Sequence, residues 1–244
     1  TLSNIDRYKF FKKLYCKNYI TSCNIECPPK IPKIVHQVWL GPNKIPDKFN
    51  NYINSWKKYN DNWEYKLWTD DDLIDFKFRY LGKFFHMSKN YGQKSDLLRY
   101  EILYQYGGLY VDVDFECIKQ FDELNNCYDF YCGLHPPHQV IHPSYPLEIG
   151  NALIGSSKEH PIIFQLFKLI EKRWEKIYKS KEIDDNWKVV LSTMYPLRDA
   201  IIKDAYKKNL HNIALPATYF FPILPGRYIK DQDQGNSFSE IKEE

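Results

Sequence analysis

The sequence of this 244-residue chain predicts an α/β fold in which helices flank a central sheet. Two patterns lead to this prediction. Residues 33–68 show the order strand, helix, strand that is typical of one half of a nucleotide-binding α/β domain. Further on, a long amphipathic helix ends at a double glycine, and a short apolar strand with two carboxylates at its end follows.

The elements of the first half are predicted from the spacing of apolar side chains. A helical period indicates helices, alternation indicates strands, and Gly41-Pro42 ends the first strand. The predicted elements are a helix, a strand, a helix, a strand and an interrupted helix, at residues 1–20, 33–40, 49–59, 63–68 and 73–85. The first helix and part of the connector behind it form a predicted N-terminal helical extension over residues 1–30.

The second half begins with the clearest helix of the chain, at residues 94–106. Its leucine and isoleucine side chains form one apolar stripe, and Gly107 is placed to end it in a left-handed turn. Strands at residues 109–113, 130–134 and 149–154 and helices at 160–179 and 197–206 follow. We expect the α/β domain to span residues 31–224 and the polar residues 225–244 to form a flexible tail.

Composition and charge limit the class of protein. With 43% hydrophobic and 27% charged residues, the chain can build a sizeable core. A net charge of +3 with scattered lysines gives no reason to expect a nucleic-acid partner. No apolar run approaches the ~18 residues of a membrane span, and neither a signal peptide nor an Asn-x-Ser/Thr sequon is visible. These features slightly favour the cytoplasm, and the lumen of the secretory pathway stays open if an N-terminal anchor has been removed.

Cysteine and histidine clusters give no metal-binding pattern. The cysteines fall into one group before the first strand and one after the acidic strand: Cys16, Cys23, Cys27, Cys117, Cys127 and Cys132. Their spacings match no zinc site, and we expect isolated thiols in a reducing compartment. His135, His138 and His142 lie in a proline-rich loop, where we expect them to face solvent.

The two carboxylates after the apolar strand are the strongest functional signal. Asp112 and Asp114 are two residues apart on an extended chain, so their side chains leave the same face. Hard oxygen ligands suit Mg²⁺ or Mn²⁺, which commonly bridge protein carboxylates to substrate phosphates. The same spacing at residues 70–72 indicates a helix start, and at residues 231–233 it lies in the polar tail. Because ligands of open α/β sheets bind at the carboxyl ends of strands, we expect a nucleotide-sugar to bind at Asp112 and Asp114.

Four segments carry a resemblance to a known family. They read Ile-Pro-Lys-Ile-Val-His-Gln-Val-Trp-Leu-Gly at 31–41, Trp-Glu-Tyr-Lys-Leu-Trp at 63–68, Lys-Ser-Asp-Leu-Leu-Arg-Tyr at 94–100 and Gly-Gly-Leu-Tyr-Val-Asp-Val-Asp at 107–114. In order and approximate spacing the chain resembles glycosyltransferase family 32, whose members have a DXD-containing sugar-binding region. More distantly it is similar to the glucosylating domains of large clostridial toxins. The resemblance covers about residues 31–165.

The resemblance implies both a fold and a reaction. The fold is GT-A, a Rossmann-like nucleotide-sugar-binding domain built around a central mixed sheet. The reaction is the metal-dependent transfer of a hexose from a UDP- or GDP-sugar to a glycan, lipid or protein acceptor, with retention of the anomeric configuration. The implied cofactor is Mn²⁺ or Mg²⁺, and the nucleoside-diphosphate sugar is the donor substrate.

The resemblance also implies roles for single residues. Asp114 would bind the metal directly, whereas Asp112 would reach it through water and contact the ribose or the donor sugar. Asp96 would accept hydrogen bonds from donor-sugar hydroxyl groups, with Arg99 beside it. Positions i and i+3 share a helix face, so spacing supports this pairing independently. Asn151, which the resemblance places near the acceptor, completes the predicted catalytic set.

Four further positions belong to the predicted donor site. Trp39, at the end of the first strand, would pack against the nucleotide base, and Val38 precedes it. Tyr110 shares the strand face of the acids and would help to close the base or ribose pocket. Ser95 directly precedes Asp96 in the same helix.

Two other functions stay open. Ser-Thr-Met-Tyr-Pro at residues 192–196 stands where the family has a Thr-Gly-Pro-like segment, and neither Trp nor His occurs after residue 211 to form the family's closing segment. A non-catalytic sugar- or nucleotide-binding relative is therefore one alternative. A metal-dependent phosphoesterase that uses Asp112 and Asp114 is the other, although in haloacid-dehalogenase-type phosphatases the acidic pair ends the first strand and a threonine follows it.

Overall fold

The computed structural model of the chain describes residues 2–21, 28–135, 148–207 and 210–221. Its strands are β1 (Ile34–Val38), β2 (Glu64–Trp68), β3 (Gly108–Val111), β4 (Phe130–Leu134), β5 (Ile149–Ser156) and β6 (Asn212–Leu215). They form one sheet in the order β2-β1-β3-β5-β4-β6. β5 is antiparallel to both neighbours, and the other pairs are parallel. The predicted mixed sheet is confirmed, and the carboxyl ends of all strands except β5 share one edge.

The α-helices lie on both faces of this sheet. They are α1 (Asn4–Asn18), α2 (Asn50–Tyr59), α3 (Gly82–Met87), α4 (Tyr91–Tyr106), α5 (Asp122–Cys127), α6 (Pro161–Lys179), α7 (Asp185–Val189) and α8 (Tyr195–Asp204). A π-helical segment, Val190–Met194, joins α7 to α8. Within the described ranges, no helix combines the length and apolar character that crossing a membrane requires.

Alternation along the strands produces two hydrophobic cores. Tyr110 and Ile154 point to the face covered by α4, α6 and α8, whereas Leu109 and Leu153 point to the face covered by α2 and α5. All four side chains are buried because helices cover both faces of the sheet. The burial of both faces explains why the strand that carries the acids reads as a continuous apolar run.

One predicted segment folds differently, and three observed elements lie where none is predicted: α5, α7 and β6. Residues 73–85 were predicted as an interrupted helix, but the chain forms a short 3₁₀ turn, Asp71–Leu73, and then α3. Between them, the amides of Arg79, Tyr80 and Leu81 donate to the buried Glu101 carboxylate, which replaces helical bonding. β6 was not predicted, because its four residues are too few to show a strand pattern.

The predicted first helix packs directly on the α/β domain. Phe11 and Leu14 are fully buried in the hydrophobic core to which α8 also contributes. Arg7 pairs with Glu148 at 2.7 Å, and the Asn18 amide donates to the carbonyl oxygen of Asn212 at 2.7 Å. The helix is therefore held along its length, whereas the division of the chain at residue 30 stays a prediction.

The expectation of isolated thiols is wrong for one cysteine. Cys127 at the end of α5 forms a disulfide bond. The amides of Lys30 and Ile31 both donate to the carbonyl oxygen of Asn125, so the connector before β1 returns to α5, a contact that spacing in the sequence does not reveal. Free thiols are present at Cys16, Cys117 and Cys132, while Cys23 and Cys27 lie outside the described residues.

His36 in β1 is a buried, neutral histidine that ties β1 to β3. Its Nε2 lies 2.9 Å from the Gly107 carbonyl oxygen, which only accepts, so Nε2 carries the hydrogen. Nδ1 then accepts from the indole N–H of Trp68 at 3.2 Å. Burial lowers the pKa of His36 from 6.5 to about 4, although the hydrogen bond to Gly107 acts in the opposite direction.

We expect the free energy of unfolding to decrease as the pH falls from 6.5 to about 4, because the unfolded chain binds a proton that buried His36 does not. The decrease should approach roughly 3 kcal/mol at the acid end. Urea unfolding at pH 7 and pH 5 measures it, and His36→Gln should show a weaker pH dependence. His160, whose pKa burial also lowers to about 4, adds a dependence of the same sign that His36→Gln retains. An identical pH dependence in His36→Gln would contradict the assignment.

Candidate active site

The predicted acidic pair directly follows β3, at the edge of the sheet where the parallel strands end. The Asp112 amide donates to the carbonyl oxygen of Ala152 in β5 at 2.8 Å, so pairing continues to the first carboxylate. The Phe115 amide donates back to the Asp112 carbonyl oxygen at 3.2 Å and turns the chain. The Asp112 side chain is 33% exposed, and Asp114 lies on the surface.

Arg99 connects the helix α4 to this edge. Its Nη2 lies 2.8 Å from Oδ1 of Asp96 and 3.2 Å from Oδ1 of Asp112. Its Nη1 donates to the backbone carbonyl oxygen of Asn151 at 2.6 Å. Burial alone would lower the pKa of Arg99, but the neighbouring acidic groups, Asp112 first, raise it above the ordinary arginine value. A buried, permanently charged guanidinium therefore holds two carboxylates together.

Tyr110 contacts both Arg99 and Asp112. Its ring centroid lies 4.3 Å from the Arg99 guanidinium carbon, a cation–π contact. Its hydroxyl donates to Oδ1 of Asp112 at 2.7 Å. The side chain is only 1% exposed, so in this structure Tyr110 positions Asp112, and its contact with a base or ribose stays a prediction.

Asp96 is held through both of its carboxylate oxygens. Oδ1 accepts from Arg99 and from the side-chain amide of Asn151, the latter at 2.9 Å. Oδ2 lies 2.6 Å from the hydroxyl of Thr193. Burial raises the pKa of Asp96, and the charge of Arg99 is the largest opposing effect. Since a carboxylate can accept about four hydrogen bonds and three donors are already in place, about one acceptor position remains for a ligand hydroxyl.

Thr193 is a site residue that the sequence did not assign. It lies in the π-helical segment, is fully buried, and its hydroxyl is also 2.7 Å from the carbonyl oxygen of Val189. Short π-helical insertions often occur at functional sites. The available signal was the position of residues 192–196, where the sequence departs from the family pattern.

Gln37 in β1 and Tyr65 in β2 are also new members of the site. The Gln37 side-chain amide donates to the Asp112 carbonyl oxygen at 3.2 Å, and the Tyr65 hydroxyl donates to Oε1 of Gln37 at 2.7 Å. Gln37 is completely buried. These bonds fix the backbone of the acidic turn, and both residues lie in strands that showed only apolar periodicity.

The two carboxylates after β3 suit a divalent metal whose remaining ligands come from the substrate and water. Desolvation raises the pKa of Asp114, and the negative charge of Asp112 raises it further. A cation near both groups would relieve this repulsion. The described part of the chain holds no cluster of three His, Cys, Asp or Glu side chains suited to a metal. Mg²⁺ and similar ions commonly bind one or two carboxylates and take their other ligands from phosphates and water.

The predicted nucleotide-binding residues lie beside this edge. Trp39 follows β1, is half-buried, and donates its indole N–H to the carbonyl oxygen of Asn43 at 2.7 Å. Val38, the preceding residue, is buried. The Ser95 carbonyl oxygen accepts from Nε of Arg99 at 3.4 Å, which links it to the charged cluster. Contacts of these residues with a nucleotide stay predictions.

The second acidic triplet, residues 70–72, was predicted as a helix start, but only a short 3₁₀ turn, Asp71–Leu73, begins there. The Asp70 carboxylate accepts from the Gly41 amide at 2.7 Å, and Asp72 accepts from the Thr69 amide at 2.9 Å.

Of the three predicted loop histidines, the structure describes His135, whose ring packs against Phe221 with 6.0 Å between the ring centroids. Other sequence predictions lie outside the described residues: His138, His142, Asp231, Asp233 and the tail at 225–244.

Comparison with known proteins gives a family region and two related enzymes. Residues 46–131 match the glycosyltransferase sugar-binding region containing the DXD motif, a range that includes Asp96, Arg99, Asp112 and Asp114. Inositol phosphoceramide mannosyltransferase 1 of Schizosaccharomyces pombe is 30% identical over 149 residues, 59% of this chain and 44% of the relative. Inositol phosphoceramide mannosyltransferase 3 of the same organism is 31% identical over 224 residues, 85% of this chain and 58% of the relative. The chain spans about half the length of these relatives.

A solved structure supports the fold. The PaToxG glycosyltransferase matches with a TM-score of 0.56 at 17% sequence identity, over 96% of this chain and 84% of that chain. At this identity the likeness concerns the fold alone, and it confirms the predicted GT-A architecture. The matched region and the names of the relatives support the prediction of an enzyme. The chain therefore contains the DXD-type sugar-binding region of glycosyltransferases in a GT-A fold, as its resemblance to glycosyltransferase family 32 predicts.

Proposed function

We propose that this chain transfers a hexose from a nucleoside-diphosphate sugar to an acceptor hydroxyl in a reaction that requires a divalent metal. One observation carries the proposal: Arg99 joins the buried Asp96 to Asp112 directly beside the exposed Asp114, within the matched sugar-binding region. Buried charges of this kind are kept where a ligand needs fixed partners, and perturbed carboxylates are enriched at active sites.

The proposed reaction divides the work between two groups of residues. Asp96 accepts hydrogen bonds from sugar hydroxyls, and Arg99 keeps Asp96 and Asp112 in place so that the anomeric carbon faces the acceptor. When bound, Mn²⁺ or Mg²⁺ neutralises the charge that develops on the leaving diphosphate. The acceptor oxygen bonds to the anomeric carbon, the bond from that carbon to the diphosphate oxygen breaks, and the hydroxyl proton leaves with the nucleoside diphosphate. We propose retention of configuration, as the family resemblance implies.

The names of the relatives limit which sugar and which acceptor we propose. Both are called inositol phosphoceramide mannosyltransferases, so we propose mannose as the transferred hexose and an anionic glycolipid as the acceptor. We propose UDP or GDP as the nucleotide of the donor. A GDP- or UDP-linked mannose is therefore the first donor to test against other sugars on the same nucleotides.

A thermal stability assay tests the donor site first. A ligand that binds only the native state raises the melting temperature in proportion to ln(1 + [L]/Kd). We expect a shift from one nucleotide-sugar series that depends on Mn²⁺ or Mg²⁺, and the responding series identifies the base. An absence of metal-dependent shifts with every UDP-, GDP- and CMP-sugar would overturn the proposal.

Turnover measurements separate the proposal from its alternatives. Release of nucleoside diphosphate from the donor, with or without a lipid acceptor, supports a transferase. Tight donor binding with neither transfer nor hydrolysis would instead indicate a non-catalytic binding protein. Release of inorganic phosphate from simple phosphoesters would indicate a phosphoesterase.

Thr193 offers a test of the geometry around Asp96. We expect Thr193→Val to lower kcat/KM for the donor by roughly 10- to 100-fold, because a hydrogen bond to a charged group contributes about 1.5–3 kcal/mol. Thr193→Ser keeps the hydroxyl and should retain most of the activity. Steady-state kinetics of both variants check this, and equal losses in both would show that packing, rather than the hydroxyl, matters.

A further inference from the structure

The outward face of α1 combines exposed apolar side chains with lysines. Ile5 is 67% exposed, Tyr8 is 54% exposed, and Leu2 just before the helix is 41% exposed. The same surface carries three exposed lysines, and a fourth, Lys17, is exposed in the last turn: Lys9, Lys12, Lys13 and Lys17. Against these four positive charges the exposed residues of the helix include one aspartate, Asp6.

The inner face of α1 holds the helix rigidly on the domain. Phe11 and Leu14 are buried in the core, and the buried Arg7 pairs with Glu148. The Lys17 ammonium lies 5.0 Å from the centroid of the Tyr206 ring just beyond α8. The exposed apolar side chains therefore belong to a fixed surface, and the packing of α1 does not use them.

The first turns of α1 lie at the same edge of the sheet as the acidic pair. Arg7 bonds to Glu148, which directly precedes β5 and whose carbonyl oxygen accepts from the amide of His135 after β4. At the other end of the helix, Asn18 bonds to Asn212, where β6 begins. Since β4 and β6 are parallel, α1 starts at the edge that carries the candidate active site and ends at the opposite edge.

We propose that the outward face of α1 binds the surface of an anionic lipid bilayer and so holds the active-site edge against the membrane. Exposed isoleucine, leucine and tyrosine suit insertion at the boundary between headgroups and acyl chains, and lysines are attracted to anionic headgroups. The inference rests on the proposed function in one respect: a glycolipid acceptor would be presented at that surface. A bilayer matches both the apolar and the positive character of this face.

Sedimentation with lipid vesicles tests the proposal. The chain should bind vesicles of phosphatidylcholine with phosphatidylinositol, bind pure phosphatidylcholine much less, and dissociate as salt screens the charges. The triple variant Lys9→Gln, Lys12→Gln, Lys13→Gln should bind roughly 100-fold more weakly, because each lysine near an anionic surface strengthens binding several-fold. The double variant Ile5→Ser, Tyr8→Ser should also weaken binding. Its remaining binding should be more sensitive to salt than that of the unaltered chain, because it depends on charge alone.

A matched variant controls for net charge. Lys168, Lys172 and Lys176 are exposed on α6, and replacing them by glutamine removes the same charge from another surface. Glutamine favours helix nearly as well as lysine, so both triple variants should keep the fold. Equal binding by the two triple variants would overturn the proposal, as would a failure of the unaltered chain to bind anionic vesicles.

The failure of this inference can be told apart from the failure of the proposed function. Hydrolysis of the nucleotide-sugar in solution depends on the active site and needs no membrane. Hydrolysis without vesicle binding would overturn the role of α1 alone. Vesicle binding that depends on the α1 lysines, in a chain that neither transfers nor hydrolyses sugar, would support α1 as a lipid-binding surface and overturn the proposed function.

Discussion

Asp114→Asn should reduce sugar transfer on the order of 1,000-fold and leave the fold intact, since a divalent metal typically stabilises transition-state charge by several kcal/mol. Asp114 lies on the surface after β3, and desolvation and the charge of Asp112 raise its pKa. Asparagine keeps the size of the side chain but removes a charged metal ligand. Initial rates over a range of Mn²⁺ concentrations, with melting curves of both proteins, measure the effect.

The control for this prediction is another surface aspartate. Asp61 is exposed in the turn between α2 and β2, and Asp61→Asn should change neither the rate nor the metal requirement. Near-normal turnover of Asp114→Asn after the metal has been removed would contradict the assignment of this residue.

Arg99→Met should cost about 3–5 kcal/mol of folding stability and abolish transfer, because it leaves the carboxylate of Asp96 buried without its cation. Arg99→Lys keeps the charge but cannot contact Asp96, Asp112 and the Asn151 carbonyl together, as the planar guanidinium does. We therefore expect the lysine variant to be more stable than the methionine variant and still strongly impaired in transfer. Chemical denaturation and initial rates measure the two effects separately.

Arg79 provides the matched control for the methionine variant. Its ion pair with Glu159, at 3.0 Å, has side chains that are 47% and 54% exposed, and exposed pairs contribute about 0–1 kcal/mol. Arg79→Met should therefore be nearly neutral. Adding Asp96→Asn to Arg99→Met should restore part of the lost stability, since it removes the unpaired charge. An Arg99→Met protein as stable as Arg79→Met would show that the buried cluster is not held by this ion pair.

These predictions depend on the different burial of Asp96 and Asp114. Asp96 is almost fully buried and held by Arg99, Asn151 and Thr193, whereas Asp114 lies on the surface. A rigid, buried carboxylate suits recognition of a sugar hydroxyl, and an exposed carboxylate suits a metal whose remaining ligands arrive with the substrate. Substitutions should therefore affect stability at Asp96 and Arg99, and activity without instability at Asp114.

Local patterns in the sequence were enough to predict the elements that carry the acidic pair, whereas the roles of Asp96, Arg99 and Asn151 came from the family resemblance. The clearest helix, the double glycine and the strand with its two carboxylates correspond to α4, β3 and the edge at Asp112 and Asp114. The helix and strand follow from interactions between residues close in the chain: an apolar stripe, a positive φ of 70° at Gly107, and the alternation of side chains along β3. The predicted extended strand is too long, because β3 ends at Val111 and Asp114 lies in the turn that follows. The i, i+3 spacing of Asp96 and Arg99 likewise predicted the ion pair that the structure contains.

Contacts between distant residues required the folded chain. Thr193 reaches Asp96 across 97 positions, and Gln37 reaches Asp112 across 75. β6 is recognisable as a strand because it pairs with β4. The disulfide of Cys127 could not be predicted from the spacing of the cysteines. Tyr8, an apolar residue at helical spacing, turns outward because Phe11 and Leu14 occupy the inner face of α1. Periodicity carries no information about such contacts, since they depend on which surfaces meet when the sheet and its helices assemble.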